Sequence, residues 1–324
     1  MNRINDNYYR FSDNYKPVKF IKLSDGNFYY MYEVSFSNLT ELYELLKSNP
    51  TLNKKIFVEE SSQSNYIEFY GKPYEKALED LVNLKENQYN EFMNIIKALG
   101  FTGIKNSYTY KKVKSPTGGY LRIPLYTAGH PLPYEINKKI ISPDIITIHV
   151  SLGYKSHTTK EQVLNRAIIL ISIVNALEAR GHEVKISASE LLYNTPSFPG
   201  EIVKISIDIK KYGKGINFTT LYKTLCPIEF LRRIIFRVIE TIPVNHTRWN
   251  SNYGSVCNKE KVREILQLDD KTLYFGQPHE LGIEGEDIED DFQQCLESLK
   301  ISDKISVKEI TDDYKERIRK INGG

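Results

Sequence analysis

Several things are scarce in these 324 residues, and each scarcity excludes something. There are only three cysteines, three methionines and one tryptophan. Cys226, Cys257 and Cys295 are far apart and odd in number, which argues against a disulfide framework and a cysteine-based zinc motif. A reducing compartment is the natural expectation. No apolar run approaches the length of a membrane span, and the opening MNRINDNYYRF has no apolar signal core. A cytoplasmic protein with no membrane partner is expected. Charge of one sign is also lacking: the formal net charge of +3 is too small to imply nucleic-acid binding by itself.

What is present is globular composition, 26% charged and 40% apolar, in a chain long enough for a sizeable core or two domains. The charge is unevenly spread. Residues 284–299 are acidic, whereas 105–122 and 210–237 are basic. The 23 tyrosines accompany many Asn, Ile and Lys, a pattern expected of an AT-rich genome.

The first hundred residues mix strands and helices. VKFIKL and FYYMYEV flank Ser24-Asp25-Gly26-Asn27, whose Asp-Gly pair suits a tight hairpin. Asn38 or Thr40 can cap a helix ending near Pro50. KIFVEE and YIEFY suggest two more strands, and helical spacing follows from Gly71, with a break near Asn83. From Phe101 to Pro133, glycines and prolines forbid any long helix and leave short extended pieces such as YLRIPLY. Beyond about residue 138 the pattern is cleaner. IITIHV is a fully apolar strand, and a helix from about Lys160 to Arg180 opens on the capping-box pair Thr159 and Gln162. HEVKISAS is a strand, and the alternation of Val203, Ile205, Ile207 and Ile209 with Lys204, Ser206 and Asp208 marks a sheet with one wetter face. The fold class is therefore α/β: a mostly parallel sheet with helices on both faces, preceded by a smaller α+β module. The expected divisions are a module over 1–100, a connecting arm over 101–138, an α/β domain over 139–302 and a charged tail over 303–324.

Chemistry is harder to find. The strand, small-residue loop and helix around HVSLGYKSH match the layout of von Willebrand A-type domains, where Asp-x-Ser-x-Ser supplies a carboxylate and two hydroxyls to Mg²⁺. In that register His149 stands at the acidic position, Ser151 at the first hydroxyl and Gly153 at the second, with Ser156 further along the loop. Imidazole is a poor partner for Mg²⁺, so the metal site is degenerate and a satisfied strand-end His is favoured over a ligand. His157 is the one further imidazole nearby. Neither a phosphate-cradling glycine loop nor a Gly-x-Ser-x-Gly elbow is present. Cys226, before Pro227, reads as a core thiol. Two basic segments remain. Lys105, Lys111, Lys112, Lys114 and Arg122 are interleaved with Tyr108, Tyr110 and Tyr120, which suits phosphates paired and bases stacked. In FLRRIIFRVIE, Arg232, Arg233 and Arg237 could meet phosphate or a partner, or pair within the molecule, since Leu231, Ile234, Ile235 and Val238 face a core.

FYGKPYEKALEDL, GGYLRIPLYTAGHPLPY, SIVNALEARGHEV and CPIEFLRRIIFRVIE occur in an order that resembles an uncharacterised family encoded by bacteriophages and mobile elements. The resemblance implies an N-terminal module, a Pro/Gly arm and a C-terminal domain similar to von Willebrand A domains. In that family a His usually precedes the Pro at the position where this chain has Cys226. The leading expectation is a non-enzymatic binding or assembly protein with no cofactor and a protein, nucleoprotein or nucleic-acid partner. The alternatives are a virion component and a metal-dependent hydrolase or nuclease built on His149, His157 and nearby carboxylates.

Overall fold

A computed structural model describes residues 17–48, 67–83, 86–98, 109–132, 134–140, 145–179, 182–194, 200–241, 257–269 and 272–299. Strands β1 (Pro17–Lys22) and β2 (Phe28–Phe36) form an antiparallel hairpin. Gly26 takes φ +83° in its turn, a conformation that favours glycine. Helix α1 (Leu39–Lys47) starts where Asn38 Oδ1 accepts the Glu41 amide at 3.0 Å. Three helices follow: α2 (Ile67–Tyr70), α3 (Tyr74–Asp80) and α4 (Glu86–Ala98). YIEFY was expected as a strand. Its described residues, Ile67–Tyr70, are instead a helical turn that ends at Gly71, whose φ of +74° lets the chain double back against Glu229. KIFVEE lies outside the described residues.

Next come β3 (Thr109–Ser115), β4 (Tyr120–Leu121), the short helix α5 (Ile123–Thr127) and β5 (Tyr134–Ile140). The three strands make a small antiparallel sheet of order β3-β5-β4. Pro124 sits in the first turn of α5, where proline's missing N–H costs no hydrogen bond, so YLRIPLY is part strand and part helix. The rest of the chain supplies β6 (Ile145–Ser151), α6 (Lys160–Ala179), β7 (Glu183–Asn194), β8 (Gly200–Lys210) and α7 (Phe218–Leu225). A π-helical stretch, Phe230–Ile235, runs into α8 (Phe236–Glu240). Then come α9 (Lys259–Leu266), β9 (Thr272–Phe275), a 3₁₀ turn at Pro278–Leu281 and α10 (Ile288–Leu299).

The central sheet has the order β1-β2-β8-β7-β6-β9. Three of its five joins are parallel and two, β1–β2 and β7–β8, are antiparallel. One face is mostly apolar: Ile146, Ile148 and Val150 of β6 and Val203, Ile205 and Ile207 of β8 pack beneath α6, interrupted by the buried Glu190 of β7 and by Lys210 of β8, which pairs with Glu178 of α6 at 2.8 Å. Helix α6 is buried nearly all round, as its apolar sequence requires of a helix enclosed by sheet and further helices. The other face is divided. Over one end of the strands, from β1 across to β9, Val262 and Ile265 of α9 cluster with Ile21, Tyr29, Met31, Ile202, Leu191 and Tyr274. Over the other half, Lys204, Ser206 and Asp208 stay partly open, in keeping with the alternation in the sequence.

One expectation needs correction. The first residues were expected to form a separate module, yet β2 pairs in parallel with β8 from Tyr29↔Gly200 to Phe36↔Ile207, inside the same sheet as β6 and β7. A boundary near residue 138 therefore does not divide the sheet. The segment that builds a sheet of its own is the arm. The tail over 303–324 lies outside the described residues. A fragment starting at residue 139 would leave the edge of β8 and part of the apolar floor exposed. We expect it to lack a cooperative thermal transition, whereas the full chain unfolds cooperatively; circular dichroism melts of both would decide.

Candidate functional site

At the end of β6 the chain leaves the sheet through residues 152–159 and enters α6. Thr159 and Gln162 close the capping box reciprocally, at 2.9 and 3.2 Å. His149 is 5% exposed. Its Nε2 lies 3.0 Å from Ser189 Oγ and its Nδ1 3.4 Å from Ser187 Oγ, and its ring stacks on Tyr274 with centroids 6.3 Å apart. Burial pushes its pKa down to about 4, so the imidazole is neutral near pH 7. Both ring nitrogens face hydroxyls of the protein itself, in keeping with the satisfied strand-end histidine expected from sequence. Ser151 is buried and directs its hydroxyl to the Gly153 carbonyl at 3.5 Å, while Ser156 and His157 are exposed. Among the described residues no group of three or more His, Cys, Asp or Glu side chains could hold a metal ion.

The loop does grip a cation, and that cation belongs to the protein. Arg232 donates to the carbonyls of Phe69 (2.7 Å), Lys155 (3.2 Å), Ser156 (2.9 Å) and Thr158 (3.3 Å). Its guanidinium lies 4.4 Å from the Phe69 ring centre and 5.1 Å from that of Tyr154. Arg233 donates from Nε to the Lys72 carbonyl at 2.8 Å and lies over Tyr70. Arg237 lies over Tyr74, with Nη1 3.7 Å from Glu240. All three arginines are at most 3% exposed. Their expected role in meeting phosphate or a partner is therefore corrected to the intramolecular one, because a buried guanidinium held by carbonyls and rings is inaccessible to a ligand.

A second buried group lies just past the end of β6. Arg166 of α6 donates to the carbonyls of Ser151 (3.0 Å) and Gly276 (3.3 Å). Glu190 of β7 is 1% exposed, and neither carboxylate oxygen has a hydrogen-bond partner among the described residues. Burial pushes its pKa up to about 8, with Arg166 pulling the other way. Burial also raises the thiol pKa of Cys226, which packs in the core cluster.

The arm is the opposite case. Lys105 and Tyr108 lie outside the described residues. By register, positions 110, 112 and 114 of β3 stand opposite 139, 137 and 135 of β5, and Tyr120 of β4 stands on the other side of Glu135. Position 111 falls opposite Lys138, on the alternate face. Lys114 is exposed, and Arg122 pairs with Glu135 at 2.5 Å. Tyr120 is 72% exposed, Ile123 66% and Tyr126 60%, so three large side chains within seven residues face solvent.

A family profile described as "Domain of unknown function (DUF7192)" matches residues 19–304, without a break at the expected boundary. The chain belongs to this DUF7192 family. No curated protein and no solved structure matches it.

In this DUF7192 chain the structure brings together Arg232, Ser156 and the 152–158 loop, and sets His149 apart on the sheet face with its own serines. What the sequence reading missed is Glu190. It stands at an apolar position of the alternation Val184, Ile186, Ala188, Glu190, Leu192, and that misplaced carboxylate was the available signal.

Two outcomes follow for this member of the family. Arg232→Ala strands four carbonyls, and urea unfolding should show a loss of more than about 3 kcal/mol, with Arg232→Lys recovering less than half. Glu190 carries a raised pKa in the folded chain, so the folded state binds the extra proton between the unfolded value of 4.5 and about 8. Stability is thus lost as pH climbs through that window. Below about pH 6.5 the buried His149, whose pKa is lowered to about 4, offsets this slope, so melting temperature should fall from about pH 6.5 to about pH 8, and Glu190→Gln should flatten the decline.

Proposed function

We propose that this protein is a non-enzymatic binding protein that holds single-stranded nucleic acid, free or in a nucleoprotein, on its three-stranded arm. The observation that carries this reading is charge placement. Residues 109–140 contain Lys111, Lys112, Lys114, Arg122, Lys138 and Lys139 against the single carboxylate Glu135, a net +5. The whole chain is only +3, so everything outside the arm is net −2. A basic arm on an otherwise slightly acidic body concentrates its attraction for phosphates in one place. Tyr120 and Tyr126 stand exposed in the same segment, and flat rings of this kind accept stacked bases without regard to sequence. In this reading the α/β body is a von Willebrand A-like platform without a metal grip, and its part is to present the arm. The exposed apolar side chains Leu121 and Ile123 favour a partner that offers protein surface as well as phosphates.

Neutralising charge and removing a ring should separate the two terms. In fluorescence anisotropy with a labelled oligothymidylate, affinity should fall with salt at a log–log slope of about −3, as for about four phosphate contacts on a single strand. Lys111→Ala/Lys112→Ala should make that slope shallower. Tyr120→Ala should cost about 1–3 kcal/mol at every salt concentration. Absence of binding at about 50 mM salt would sink the proposal.

A further inference from the structure

The half of the sheet face that α9 leaves uncovered holds a groove of about 270 Å³. Its floor is built from strand register. Ser35, Ser206 and Ser189 stand side by side on β2, β8 and β7, and in the next row Asp208, Ser187 and His149 do the same on β8, β7 and β6. Hydrogen bonds run along these rows: Ser35 Oγ to Ser206 Oγ is 2.9 Å, and the buried His149 fixes Ser189 and Ser187. The lining residues Ser35, Ser206, Ser187 and His149 are thus preorganised and uncharged, with Asp208 at the edge of the groove and Ser189 buried beside it. Hydroxyls both donate and accept, so such a floor matches a ligand whose own hydroxyls do the same.

Charge at the rim is not balanced. Glu33 pairs with Lys204 at 2.7 Å, and Asp208 lies 3.8 Å from Lys211. Lys185 also lines the groove, is exposed, and has no carboxylate partner among the described residues. A groove of this size suits a small polar molecule.

We infer that this groove is a binding site for a small hydroxylated oxyanion of the sugar phosphate class, with Lys185 meeting the anion and the serine rows meeting the hydroxyls. The site is separate from the arm and does not depend on its role. Ser187 rests against His149, and Asp208 lies on the far side of Ser187 from the imidazole, so among the described residues no carboxylate orients the ring and the arrangement suits binding.

Isothermal titration of the full chain with glucose 6-phosphate, glucose and inorganic phosphate at constant ionic strength tests this inference. Glucose 6-phosphate should bind at one site, more tightly than either phosphate or glucose. Lys185→Gln, on an exposed position, should weaken it about tenfold or more. Ser206→Val, a change that suits a strand, should weaken it while narrowing the advantage over phosphate. Lys111→Ala/Lys112→Ala should leave it unchanged. No heat with glucose 6-phosphate, phosphate binding as tightly as the sugar phosphate, or affinity unaffected by Lys185→Gln would each overturn the inference.

Discussion

The guanidinium of Arg232 is the constraint on which the region around the β6–α6 loop depends. Placing a full charge at 3% exposure is costly unless its donors are matched, and here four carbonyls and two aromatic rings surround it. Those carbonyls come from α2 and from the loop between β6 and α6, segments more than eighty residues apart. One side chain therefore sets both the shape of the loop and the docking of the N-terminal helices on the sheet. Arg166 does the same for the ends of β6 and β9. Backbone oxygens of the kind that ligate hard metal ions are here turned onto the protein's own cations.

The same arrangement explains why the molecule's two sheet faces differ. The helix-covered face is apolar in mid-strand, at Ile148, Ala188 and Ile205, and its buried charges lie towards the strand ends, Glu190 late in β7 and Lys210, paired with Glu178, beside Val184 at the start of β7. The opposite face then carries the polar half of each alternation. Helix α9 covers the end where that half happens to be apolar, through Tyr29, Met31 and Ile202. It stops where Glu33, Lys204 and the serines begin. Ion pairs anchor it at the turn, with Lys261 on Asp25 at 2.8 Å.

Local pattern was enough wherever a local interaction decides the structure. The Asn38 cap, the Asp25-Gly26 turn, the capping box of α6 and the alternation of β8 are all short-range, and all were legible in the sequence. Partnership between distant segments was not. Nothing in FYYMYEV says that it will lie parallel to EIVKISI some 170 residues later, because register is set by which apolar faces meet in the folded chain. YIEFY alternates like a strand, yet the helical turn wins because Arg232 and Arg233 claim the Phe69 carbonyl and the Tyr70 ring. The arginine run itself was ambiguous, since a cation beside apolar residues can serve a ligand or the core. Only burial separates the two. The serine rows were invisible for a further reason: each contributes one residue per strand, and no window of sequence contains a row.

The polar surfaces left over differ in a way that physical chemistry can use. On the arm, cations outnumber carboxylates six to one, so attraction there is long-range and screened by salt. In the groove, Glu33 pairs with Lys204, Lys185 is the lining cation without a carboxylate partner among the described residues, and the floor is largely hydroxyl and neutral imidazole, so hydrogen-bond geometry weighs more and ionic strength less than on the arm. A ligand that met both surfaces would show salt dependence from one and stereochemical selectivity from the other. His149 links the groove to pH in one direction only. Its folded pKa is depressed, so acid charges it more readily in the unfolded chain, and the stability it lends is lost as pH falls from 6.5 through about 4. Glu190 works in the opposite direction, losing its contribution as pH rises. Between them the two buried groups favour the folded state in mildly acidic to neutral solution, and neither needs to exchange a proton for the surfaces to bind.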